Sequence, residues 1–166
     1  MSAEGSRGER KLIPFPENPV EGRHPSLSPD GRWLLYSSMQ TGGREVFVES
    51  MPEQMGGPAI GVKRQVSIAG GTQPAWSVDG KEIFYIAADS KMMSVSFDSG
   101  PGSVKLGNAR SLFQTRAEFD VVPRQYDVTA DGKRFLLAQP LEDSASVPIT
   151  VIVNWPALLK KGAPAP

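Results

Sequence analysis

At 166 residues the chain has the length of one ordinary domain and is too short for two comfortable ones. Its 18 basic and 18 acidic side chains cancel, which removes the global electrostatic case for nucleic acid. With no cysteine and a single histidine, His24, it excludes disulfides, thiolate nucleophiles, cysteine-based zinc sites and any site built from several histidines of one chain.

In chain order, residues 1–10 are polar and read as a disordered tail with no apolar core for a leader. Residues 11–15, Lys-Leu-Ile-Pro-Phe, read as a lone outer strand. The next feature is a unit that occurs three times: 24–38, 73–87 and 125–139. Each copy holds an Asp-Gly pair, at Asp30-Gly31, Asp79-Gly80 and Asp131-Gly132, spaced by 49 and 52 residues. Glycine tolerates positive φ there and aspartate bonds back to the backbone, so each pair predicts a turn between two strands. The second strands, 32–38, 81–87 and 133–139, carry near-continuous apolar runs such as Trp33 to Tyr36 and Ile83 to Ile86. Such runs fit strands covered on both faces.

Third strands are expected at 45–51, 92–97 and 149–154, and outer strands at 64–68 and 109–113. The third unit has no outer strand of its own, because Pro156 breaks the segment that follows. Residues 156–166 read as a tail. No run of about 18 apolar residues occurs, so no membrane insertion is expected.

The three copies resemble the TolB-like β-propeller repeat, also called PD40 and related to WD40. The residues that carry the resemblance are a polar residue, Pro, a short apolar strand, Ser-Pro-Asp-Gly, a basic residue and an aromatic strand. His24 to Tyr36 follows this pattern throughout; Gln73 to Tyr85 has Val78 in place of Pro; Arg124 to Leu137 is the loosest copy. Residues 70–77, 81–85, 134–137 and 151–155 resemble the carboxy-terminal half of bacterial propeller sensor regions that follow Ser/Thr protein kinases. No kinase phosphate loop, catalytic loop or Gly-x-Ser-x-Gly elbow is present, so neither kinase nor hydrolase activity is implied.

The resemblance implies an all-β fold of three four-stranded antiparallel blades, at 24–68, 73–113 and 124–154, within a segment spanning 11–155. Propellers have four to eight blades. Three blades are therefore expected to be half of a six-bladed ring, closed by a homodimer in which residues 11–15 complete the partner's last blade. A peptide or protein is the expected further ligand. No cofactor or metal is expected, nor any nucleic-acid partner. The location expected is cytoplasmic for a complete chain, and periplasmic or extracytoplasmic for a piece of a longer sensor.

Asp30, Gly31, Asp79, Gly80, Asp131 and Gly132 recur with the turns and are read as structural. His24 and Gln73 occupy equivalent places near the expected channel and are read as ligand candidates or structural residues. Arg116, Asp120 and Arg124 flank an insertion, 117–124, that could line a channel mouth. Trp33, Tyr36, Trp76, Phe84, Tyr85 and Phe135 are read as core between blades. A lone histidine without a readable Ser/Asp partner gives catalysis little support. The function expected is non-enzymatic binding or scaffolding, with a protein or a small ligand recognised through the channel face. The alternatives are a metal-assisted, lactonase-like hydrolase and an orphan half-propeller without independent function.

Overall fold

The computed structural model describes residues 22–51, 61–100, 103–119, 121 and 123–138. The fold is all-β, with every paired strand antiparallel. Among the described residues no helix is long and apolar enough to cross a membrane. The first sheet is a meander of β1 (Gly22–Leu27), β2 (Trp33–Ser38), β3 (Glu45–Ser50) and β4 (Lys63–Gln65). The second joins β5 (Gly71–Trp76), β6 (Glu82–Ala87), β7 (Lys91–Gly100), β8 (Ser103–Leu106) and β9 (Arg110–Gln114). The third pairs β10 (Tyr126–Val128) with β11 (Phe135–Leu137). The expected strands at 11–15 and 149–154, and both tails, lie outside the described residues.

The outer part of the second sheet is longer than its sequence suggests. β7 runs for ten residues; β8 pairs with its far end and β9 with its start. Gly107 donates its N–H to the Ser96 carbonyl between them (2.9 Å), so β8 and β9 follow one edge of β7 in succession. The register slips once more between Met92 and Met93. Such bulges twist an edge and discourage further pairing. Asn108 and the flanking Pro101-Gly102 hide this strand from a simple alternation count.

The apolar runs divide their side chains between two cores. Trp33, Leu35, Val46 and Val48 of the first sheet meet Trp76, Ile83, Tyr85, Val95 and Phe97 of the second. Ala75, Phe84, Ile86 and Met92, on the second sheet's other face, meet Tyr126, Val128, Phe135 and Leu137. The middle sheet is thus covered on both faces, the physical reason that Ile83–Ile86 has no polar alternation. Phe97 meets Trp33 and Trp76 edge-on, with centroids 5.5 and 4.8 Å away. Five of the six aromatic residues expected in the core between sheets lie in these two clusters or pack against them. Tyr36 does not: it points from β2 to the opposite face, buried beside Phe47, with the Lys63 ammonium over both rings.

The connection from the first sheet to the second is held by a buried carboxylate. Glu45 accepts hydrogen bonds from the Ser67 hydroxyl and from the Gly70 N–H (2.8 Å). Ser67 Oγ in turn accepts the Val46 N–H (2.8 Å). Gly71 lies against this knot: a Cβ there would sit 2.3 Å from Ser67 Oγ and 3.1 Å from Val46 Cγ2. Gly71→Ala is therefore expected to cost about 1–3 kcal/mol by overpacking. A urea midpoint equal to that of the unmodified chain would refute this.

Candidate functional site

The three Asp-Gly turns share one hydrogen-bond pattern, and its centre is a hydroxyl. Ser28 Oγ donates to Asp30 Oδ1 (2.6 Å) and accepts the Trp33 N–H (3.0 Å). Ser77 does the same with Asp79 (2.7 Å) and the Glu82 N–H (2.9 Å). Thr129 does so with Asp131 and the Arg134 N–H (3.2 Å). Each aspartate also accepts the N–H of the basic residue after its glycine, Arg32, Lys81 or Lys133. Gly31, Gly80 and Gly132 have φ of 72°, 69° and 67°, where a Cβ is disfavoured. The six residues thus build the same turn three times. The sequence shows the third partner too: a Ser or Thr always stands two residues before the Asp.

These bonds favour the ionised aspartates. The Ser28 hydroxyl and then the Arg32 N–H hold the Asp30 carboxyl at about 2, below its usual 3.8. Asp79 and Asp131 are lowered for the same reason, led by Ser77 and Thr129. A carboxyl lowered in the folded state contributes stability above its unfolded pKa and loses it as pH falls through the folded one. Unfolding midpoints are thus expected to fall with acidification between pH 3.8 and about 2. The triple variant D30N/D79N/D131N should flatten that slope. An unchanged slope in urea titrations at each pH would refute the assignment.

His24 and Gln73 lie inside β1 and β5. Both occupy positive φ, 54° and 52°, at a register shift in their strand, and both precede a proline. The irregularity turns their side chains out of the ladder toward the insertion that leads into the third sheet. His24 Nε2 lies 2.9 Å from the Val121 carbonyl; a carbonyl only accepts, so this nitrogen carries the proton. Gln73 Nε2 donates to the Glu118 carbonyl (3.0 Å), and Gln73 Oε1 accepts the Gln125 N–H (2.6 Å). Gln125, six residues before the third turn aspartate, is the third equivalent of His24 and Gln73. Its Oε1 accepts the Glu118 N–H (2.7 Å). One position of the repeat, used three times, therefore anchors one connecting loop.

The loop is tied on its other side as well. Ser90 Oγ donates to the Ala117 carbonyl (3.0 Å), and the Thr115 N–H donates to the Ser90 carbonyl (3.0 Å). Arg116 is exposed. Asp120 lies outside the described residues. Arg124 stacks on the Tyr126 ring, 5.5 Å from its centroid, and donates from Nε to the Tyr126 carbonyl (3.0 Å). Its Nη2 is 3.6 Å from Asp127.

Beside Arg124 an open groove of about 320 Å³ runs along the first strands of the three sheets. β1 supplies Ser26 and Leu27, β5 Ala75 and Trp76, and β10 Asp127 and Val128. Pro29, Ser77 and Val78 also line it. Val78 and Leu27 are each more than half exposed. Of the candidate residues, the structure brings His24 and Gln73 to one loop and Arg124 to the groove. It leaves Arg116 on the surface. Among the described residues, no three His, Asp or Glu side chains gather to hold a metal ion. No protein-family model matches the chain, and no curated protein matches it significantly, so the TolB-like resemblance rests on the repeat residues themselves.

Proposed function

We propose that the three sheets are blades of a TolB-like β-propeller and that the chain is a non-enzymatic binding module. The ligand is a short segment of peptide or protein, taken at the groove along the first strands. The observation that carries this reading is the groove's make-up. Its wall is apolar at Leu27, Pro29, Val78 and Val128, with Arg124 and Asp127 side by side as polar anchors. Concave apolar surface with a few fixed polar groups is the usual form of a binding site. Arg124 is held by Tyr126 before any ligand arrives, which lowers the ordering cost of binding.

Selection of displayed random peptides on the immobilised chain tests this. Enriched peptides should bind at least tenfold more weakly to Arg124→Glu and to Val78→Asp, with the circular dichroism of the folded chain retained. Absence of enrichment, or binding indifferent to both substitutions, would overturn the reading.

A further inference from the structure

The repeat assigns every core position to one side of its sheet. Five residues after the turn aspartate stand Leu35, Phe84 and Leu136. Leu35 packs from the first sheet onto the second, and Phe84 from the second onto the third. This position therefore faces the following sheet. Three residues before the aspartate stand Leu27, Trp76 and Val128. Trp76 packs back onto the first sheet, and Val128 onto the second. That position faces the preceding sheet. Leu35 and Phe84 are 0 % and 1 % exposed, whereas Leu136 is 76 % exposed; Trp76 is 7 % exposed, whereas Leu27 is 53 %. Among the described residues, the two exposed leucines are the positions with no following and no preceding sheet in front of them. On the leading face Leu34 is half-buried and Tyr36 buried, so Leu27 is where that face meets solvent.

We infer that a second copy of this chain packs head to tail on the exposed ends of these faces, with Leu136 of one copy against Leu27 of the other. The chain carries both halves of an interface it already makes twice internally, so the occupant's chemistry is that of its own first sheet. Two such contacts related by a two-fold axis close a ring of six sheets. The ring's closure rests on the propeller reading; the pairing of the two faces does not.

The absence of native cysteine makes the test direct. Packed sheets lie about 10 Å apart, so a bis-maleimide of that reach can bridge them. The L27C/L136C variant should cross-link to a dimer, while L27C and L136C alone should not. Light scattering should give twice the chain mass, and Leu136→Glu should weaken the dimer at least tenfold. Its dilute form should keep the unmodified circular dichroism, because Leu136 is exposed there. A monomer at every concentration would overturn the inference, and so would cross-linking of L136C alone, which signals a face-to-itself contact. A ladder of higher masses would keep the head-to-tail pairing and overturn the closed propeller.

Discussion

Phe84→Ala is expected to cost about 3–5 kcal/mol of folding stability, the range for emptying a buried aromatic site. Phe84 is 1 % exposed and meets Phe135 edge-on, with centroids 5.1 Å apart. It lies among Ala75, Ile86, Met92 and Tyr126, in the cluster that packs the third sheet onto the second. The third sheet should loosen first, because among the described residues it consists of two three-residue strands. Leu136→Ala supplies the control. It alters the same position of the repeat at a site 76 % exposed, and at sub-micromolar chain it should change stability by less than about 0.5 kcal/mol. Urea midpoints that do not separate the two variants would refute the assignment of this core.

Gln73→Leu is expected to destabilise by about 2–4 kcal/mol, because it leaves buried backbone groups without partners. Gln73 is fully buried, and its amide serves the Glu118 carbonyl and the Gln125 N–H together. Leucine keeps the volume and supplies neither donor nor acceptor. The effect should be local before it is global. Exchange of the Gln125 and Glu118 amides with solvent should accelerate strongly, while amides of β2 and β3 keep their protection. Gln73→Glu is the informative companion: it keeps an acceptor for the Gln125 N–H but loses the donor to Glu118. Uniform exchange across all three sheets would show that Gln73 does not hold the loop. The same holds on a smaller scale for His24→Ala, which removes one bond to the partly buried Val121 carbonyl.

The repeat made much of the fold legible. A turn of the Ser-x-Asp-Gly kind closes on itself within six residues, so its chemistry is written where it acts. The strands after it follow from uninterrupted apolar runs. The outer strand at 103–106 escaped, because it is only four residues long and stands between Pro101-Gly102 and Asn108. Gln125 escaped as a partner of Gln73 because the third copy lacks the proline that marks the other two.

The sequence by itself determined the turns, the three-fold repetition and the apolar strands, all of them products of interactions a few residues long. Only the tertiary structure decided that His24, Gln73 and Gln125 meet on one loop, since those hydrogen bonds join residues up to 97 positions apart. It also decided which leucines of one repeated pattern are core and which are surface. Leu35 and Leu136 occupy the same place in the repeat, and they differ in whether another sheet stands in front of them.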